Sequence, residues 1–266
     1  YAALVRELNV PVAYVPLFAL PEPNVQSDSA RSPEEPPNGC YRLVMFGFLN
    51  ANRRLSSVLR ALRDFPQKHR FHLDIYGIVE DARTIEQLIA AFGLTELVHM
   101  HGFVSEDQLI VALERSDMAI NLRDPTMGEA SASQLRIWQH GLPSLVTDVG
   151  WYATVPENIV AMVRPEAELE DIQHHLAEFL RDPGAYRTLG TNGRRYVEEH
   201  HTVDGYVRGL LEMVERTLTA RSRQVASWMT ARAGRAIQPW FAEDAAGLLL
   251  ANPAEAIQQL ADGRGR

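Results

Sequence analysis

The chain has 266 residues, 46% hydrophobic and 23% charged, with a formal net charge of -8; this is ordinary for a globular α/β protein and long enough to bury a stable core. The acidic balance excludes a general nucleic-acid surface, because neutralising phosphates needs an excess of Lys and Arg, so any anion must be caught by a local cluster. A lone cysteine, Cys40, excludes an internal disulfide and a thiolate metal site and fits a reducing, cytoplasmic compartment. No apolar run approaches the ~20 residues of a membrane-spanning helix. The first residue is Tyr1 and no signal-peptide pattern follows, so the chain is expected to be a piece of a longer protein.

Residues 1–19 read as a short helix, Ala2–Leu8, and an apolar strand, Val10–Phe18. The proline-rich stretch Pro21–Cys40 lacks periodicity and reads as a linker or loop. Regular alternation begins at Tyr41. A strand, Tyr41–Phe48, ends at Gly47 and leads to a helix with Leu55, Val58, Leu59 and Leu62 on one face. The strand Phe71–Tyr76 meets Gly77; the helix after it carries Ile85, Leu88, Ile89 and Phe92 and closes at Gly93. The strand Leu97–His101 ends at Gly102, and Ser105-Glu-Asp-Gln108 is a capping box for the next helix. The strand Asp117–Leu122 runs into the loop Arg123–Glu129, and Ser131-Ala-Ser-Gln134 opens a helix as a second capping box. Strands Leu145–Val149 and Ile159–Val163 follow, then helices at 166–181, 184–200 and 203–219. Strand and helix alternating at this spacing predict an α/β fold, a doubly wound parallel sheet with helices on both faces.

In such a sheet a ligand crevice lies outside the carboxyl ends of the strands. Gly47, Gly77, Gly102, the loop from Arg123 and the Asp148–Tyr152 segment all fall there. The pair Arg53-Arg54 lies near a helix start, where the macrodipole penalises cations. Two arginines there make sense when an anion shares the site. Around Gly128 the loop leads to Ala130, Ser131, Ala132 and Ser133, small residues that let a diphosphate approach the helix amides. Glu129 would repel phosphate, so its role is either to accept sugar hydroxyls or to complement the helix dipole. Trp151 and Tyr152 are expected at the crevice rim, for stacking or for packing. The histidines, including the pairs His99/His101, His174-His175 and His200-His201, read as surface or satisfied core residues.

The order strand–Gly47, Gly102-Phe-Val, the Gly128-Glu129 loop and Gly141-Leu-Pro-Ser-Leu-Val-Thr-Asp-Val-Gly150 resembles the C-terminal domain of family 4 (group 1) GT-B glycosyltransferases. The resemblance spans Val10 to about Leu218. It implies a Rossmann-like domain, the C-terminal half of a GT-B fold, holding a nucleotide diphosphate sugar (UDP-, GDP- or ADP-linked) with no metal and no cofactor. Residues 1–40 then correspond to the end of the N-terminal domain and the interdomain linker, 41–219 to the donor-binding domain, and 220–266 to a helical extension. Gly47 matches the glycine ending the first strand. Phe48 stands where the family usually has an arginine, and Arg53 where it has a lysine gripping the diphosphate; Arg54 or Arg123 is the candidate replacement cation. Phe103 and Val104 match the segment that packs on the base. Glu129 lies within one residue of the first glutamate of the E-x7-E signature, and Arg136 occupies the position of the second.

The implied activity is glycosyl transfer with retention, the acceptor site lying in the absent N-terminal domain, so that this chain alone is expected to bind nucleotide but to turn over little donor. The alternatives are a nucleotide-sugar epimerase or phosphorylase of the same fold, and a non-catalytic nucleotide-binding module. For the tail, with Trp228, Trp240 and Phe241, packed helices are expected; a membrane contact is disfavoured because its polar face is not strongly basic.

Overall fold

A computed structural model of the chain describes residues 12–20, 36 and 39–237. Two compact units are distinguished, Pro16–Val203 and the set Tyr1–Val15 with Asp204–Arg266. In the first unit six strands form one sheet: β1 (Tyr41–Leu49), β2 (Phe71–Val79), β3 (Val98–Gly102), β4 (Met118–Ile120), β5 (Ser144–Thr147) and β6 (Ala161–Val163). Their order is β3-β2-β1-β4-β5-β6, and every pairing is parallel. The helices between them are α1 (Leu55–Asp64), α2 (Ala82–Ala91), α3 (Glu106–Arg115) and α4 (Ala132–Gln139), with α5 (Glu168–Arg181) and α6 (Pro183–His200) after the last strand. The chain reverses direction across the sheet between β1 and β4, and this switch point is where an open α/β sheet offers its crevice.

Alternation along the strands divides the core between the two faces. Leu43, Met45, Leu73 and Ile75 face α1, α2 and α5, joining Leu59, Ile85, Ile89, Ile172 and Phe179 in the main cluster. Val44, Phe46 and Ala119 face the other way, under Leu113 of α3 and Ile137 of α4. Trp138 is fully buried and packs with Trp151, Tyr152 and Val197 in a third cluster. Its ring explains Gly193 on α6, where a Cβ would run into the Trp138 indole.

Several boundaries differ from the sequence expectation. Residues 12–18 form no strand; the backbone there turns to the end of α6 instead, with Ala19 N–H donating to the His201 carbonyl at 2.8 Å and His201 Nδ1 meeting the Leu17 carbonyl at 2.5 Å. The helix expected over Ala2–Leu8, most of the Pro21–Cys40 stretch, and the tail aromatics Trp240 and Phe241 lie outside the described residues. β1 and β2 each run two residues past their glycines, because Gly47 pairs with Gly77 and Phe48-Leu49 with Ile78-Val79 in continued register. At α4 only half of the capping box forms: Ser131 Oγ accepts from the Gln134 amide at 3.2 Å, but the Gln134 side chain is drawn into the interior, to Asn121 and Ser144. The box at Ser105 and Gln108 forms completely.

The helix α7 (Val203–Ile237), all but its first residue in the second unit, continues well past residue 219. No proline follows Val203 until Pro239, so nothing in that stretch forces a stop. Val15 packs beside Gly209, where a Cβ would lie 3.1 Å from its side chain. Among the described residues no helix is long and apolar enough to cross a membrane.

Candidate functional site

The carboxyl ends of β1 and β2 carry the first part of the site. Gly47 and Gly77 adopt φ of 105° and 110°, a region that residues with a Cβ avoid. Beyond them the strands project Phe48 and Ile78, 57% and 55% exposed, toward Phe103, 84% exposed. With Tyr76, Val104 and Leu109 they line a slot of about 300 Å³. Large apolar side chains held open to solvent at strand ends suit a flat ring entering between them. Phe103 and Val104 are therefore joined by Phe48, Tyr76 and Ile78, which the sequence reading had not placed there. The signal was available, since each follows or precedes a strand-ending glycine.

The second part lies where β1 meets the first turn of α4. Gly47 faces Ser133 there, a Cβ on it coming within 3.9 Å of the Ser133 hydroxyl. Arg53 ends a short 3-10 turn, Ala51–Arg53, between β1 and α1. Its side chain is buried at 3% exposure. Among the described residues the guanidinium makes one long hydrogen bond, Nη2 to the Phe46 carbonyl at 3.5 Å, and Nε has no partner. Burial pushes its pKa down to about 10, opposed by the Tyr152 hydroxyl and reinforced by the charge of Arg123. It remains a cation at neutral pH, buried without a carboxylate, which is a costly arrangement unless something anionic shares the site.

Below the α4 terminus is a buried polar network. Asn121 Nδ2 donates to Gln134 Oε1 at 2.8 Å and to the Tyr152 hydroxyl at 2.9 Å. Gln134 Nε2 donates to Ser144 Oγ at 2.8 Å. Trp151 and Tyr152 are buried at 7% and 1% exposure, so neither stands at the crevice rim. Tyr152 instead fixes Asn121 at the end of β4, and burial raises its pKa. Single apolar-looking residues such as Tyr152 carry no sequence mark of such a role.

The loop from Arg123 to Ser131 folds on itself. Arg123 N–H donates to Thr147 Oγ1 at 2.9 Å, and its guanidinium pairs with Glu129. The second Glu129 oxygen accepts from the Met127 amide at 2.9 Å and from the Thr126 hydroxyl at 3.3 Å. Burial would raise the Glu129 pKa, but these amides and Arg123 hold it below the ordinary value. Gly128 turns the loop at φ 84°. Ala130 packs on the Trp138 cluster, and Ser131 caps α4. At the end of that turn the amides of Ala132 and Ser133 have no intrahelical acceptor.

Arg54 does not join Arg53. It adopts φ 57° at the start of α1 and points to Glu168 on α5, with Nε–Oε1 at 2.7 Å and Nη2–Oε2 at 2.8 Å. Its charge is engaged by that carboxylate, which raises its pKa. Arg136 extends from α4 to pair with Glu106 in the first turn of α3. The position aligned with the second signature glutamate thus carries a cation joined to an acid of the neighbouring helix.

Comparison with known proteins agrees with this fold. Residues 26–196 match the family model "Glycosyl transferases group 1". A search of curated protein sequences finds no match. Among solved structures, sucrose-phosphate synthase from Thermosynechococcus elongatus is similar at 18% identity and a TM-score of 0.57, over 68% of this chain and 47% of that one. Anabaena HepE in complex with UDP is similar at 14% identity and a TM-score of 0.59, over 66% and 49%. WaaG, a glycosyltransferase involved in lipopolysaccharide biosynthesis, is similar at 18% identity and a TM-score of 0.58, over 76% and 55%. The matched region spans about half the length of each of these structures, and at such identities the likeness speaks for the fold. With well over half of its length matched by the family model, the chain belongs to the group 1 glycosyltransferases.

Proposed function

We propose that this domain binds the donor of the transfer, a nucleotide diphosphate sugar. The observation that carries the reading is Arg53, a guanidinium buried beside the Phe46 carbonyl near the end of β1, with no carboxylate partner among the described residues. A diphosphate there would receive the charge of Arg53 and the free amides of Ala132 and Ser133, reinforced by the helix dipole. The base would enter the slot between Phe48, Ile78 and Phe103, with Gly47 letting the backbone come close. Glu129, ionised and partly exposed, is an acceptor for sugar hydroxyls at the lip of the same loop.

In transfer, negative charge grows on the departing diphosphate, and fixed cations and amides in a sheltered site stabilise it most. Arg53 and the α4 terminus would do this. Retention at the anomeric carbon and independence of a metal go with the family resemblance, as does an acceptor site in an N-terminal partner domain; a cytoplasmic setting goes with the lone cysteine, Cys40. Anabaena HepE has also been crystallised with UDP-glucose, which makes UDP the first nucleotide to test, before GDP and ADP. Arg136, paired with Glu106 where the signature has a glutamate, favours a second reading, a non-catalytic nucleotide-binding module.

Calorimetry with UDP and uridine on the wild-type chain and on Arg53→Ala tests the assignment. A charge-assisted contact to phosphate contributes about 1.5–3 kcal/mol, so UDP affinity should fall by about tenfold or more while uridine changes little. Equal loss for both ligands would sink it. UDP binding without transfer by the intact gene product would favour the second reading.

A further inference from the structure

α3 crosses the sheet over β1 and β4, where Leu113 packs on Val44, Phe46 and Ala119. On the same side of the sheet, the amino-terminal and middle parts of β2 and β3 are mostly polar. They present His72, Asp74 and Tyr76 alternating along β2, and His99 and His101 along β3. His99 and His101 are thus gathered on one face with partners, His99 stacking on His72, where the sequence reads them as surface or satisfied core histidines. Tyr76 stacks on His101 with ring centroids 4.4 Å apart and planes 8° from parallel, and Asp74 Oδ1 holds His101 Nε2 at 2.6 Å. This rigid pair floors a cleft of about 400 Å³ whose far wall is α3.

The two ends of the cleft differ chemically. Arg42 and Arg115 line one end: the Arg42 amide donates to Asp117 Oδ2 at 2.8 Å, and Asp117 follows Arg115 by two residues. Neither guanidinium has a hydrogen-bond or ion-pair partner among the described residues. Both bear on the Tyr76 hydroxyl, whose pKa burial and Asp74 raise against their pull. Asp107 and Gln108 line the other end, about 12 Å away along α3 at 1.5 Å per residue. Gln108 Oε1 is used by the Ser105 amide at 2.9 Å, which leaves its NH₂ free to donate; Asp107 can only accept. Asp74, the other acid in the cleft, is occupied by His101. Val111 and Ala112 supply an apolar wall between the ends.

We propose that this cleft is a second ligand site, for a small anionic sugar whose phosphate or carboxylate lies between Arg42 and Arg115 and whose hydroxyls reach Asp107 and Gln108. The paired guanidinia match a planar or tetrahedral oxyanion. The acid and amide at the other end match hydroxyls, which both donate and accept. A volume of this size suits a small molecule and not a protein segment. The cleft shares Tyr76 and Val104 with the slot at the strand ends, but none of its charged groups belongs to the Arg53 site.

Binding of glucose 1-phosphate, glucuronate and glucose to the 266-residue chain, followed by ligand-observed NMR, tests the proposal. At least one of the two anions should bind, and glucose about tenfold more weakly or not at all. Binding of the phosphate alone assigns a sugar phosphate; binding of the carboxylate alone assigns an acidic sugar. The double variant Arg42→Ala/Arg115→Ala should lose anion binding by about tenfold or more with an unchanged circular dichroism spectrum, since both side chains are exposed and have no partner among the described residues. Arg53→Ala should keep it. Failure of both anions to bind, undiminished binding in the double variant, or loss in Arg53→Ala alone would each overturn the proposal.

Discussion

Gly77 lies directly against the backbone of Gly47: a Cβ on Gly77 would overlap the Gly47 carbonyl oxygen and come 2.9 Å from its carbon. The reverse is not true, since a Cβ on Gly47 would meet only the Ser133 hydroxyl, at 3.9 Å. Both residues have positive φ, so alanine is strained at either, by about 1–2 kcal/mol. Gly77→Ala adds a backbone collision that no rotamer can relieve, and it should cost more than Gly47→Ala by about 2 kcal/mol or more. Urea unfolding of the two variants measures the difference. Equal destabilisation would mean that the two strand ends are free to separate.

Arg53 separates function from stability. As a buried cation with one long hydrogen bond, it contributes little to the folded state, and replacing such a group with an apolar residue of similar size is often neutral or stabilising. Arg53→Met should therefore unfold at the same or a higher urea concentration, with stability equal to wild type or up to about 1 kcal/mol greater. UDP affinity should fall in the same variant. A loss of stability above about 2 kcal/mol would make Arg53 a structural residue and remove the main support for the diphosphate assignment.

Arg54 should behave in the opposite way. It meets Glu168, whose side chain is 6% exposed, through two hydrogen bonds, and so ties the start of α1 to the start of α5. Arg54→Ala leaves that carboxylate buried and unpaired, which costs about 2–4 kcal/mol. UDP binding by the folded fraction should change less than about twofold, well under 1 kcal/mol. A large loss of UDP affinity at unchanged stability would return Arg54 to the phosphate site. Adjacent identical residues thus have contrasting expected phenotypes, which unfolding and calorimetry on the same samples resolve.

The sheet was legible because its evidence is periodic. Leu43, Met45, Leu73 and Ile75 alternate with polar or oppositely facing neighbours, and β1, β2 and β3 each carry a glycine at positive φ at or near their carboxyl ends. Gly47 and Ser131 were legible for a related reason, since strand ends and helix starts are local features; Phe103 and Val104 came from the family resemblance. Pairings between distant segments were not legible. Arg54 and Glu168 are 114 residues apart, and Asn121 and Tyr152 are 31 apart; nothing near either partner marks the contact. The full capping box at Ser131 failed on such a contact, because Asn121 and Ser144 compete for Gln134 from across the core. The strand expected over Val10–Phe18 was apolar enough, but its described part pairs with His201 rather than with a sheet edge.

The interior histidines set the response to acid. His175 meets the Tyr186 hydroxyl through Nδ1 and the Met162 carbonyl through Nε2, each at 2.8 Å, and His201 meets the Leu17 carbonyl. Burial lowers both pKa values from 6.5. For a base with a depressed folded pKa, the unfolded chain takes up the proton first, so stability is complete above about pH 6.5 and falls as the pH drops below it. Asp171 adds a second stage. Arg164 holds its pKa at about 2, so its contribution is present above the ordinary carboxylate pKa of about 4 and is lost between there and about 2. Urea midpoints should therefore be flat from about pH 7 to 8, decline between about pH 6.5 and 5, and decline again below about pH 4. In His175→Gln/His201→Gln the first decline should shrink while the second persists. A wild-type midpoint that stays level down to about pH 4.5 would show that neither histidine is held neutral by the fold.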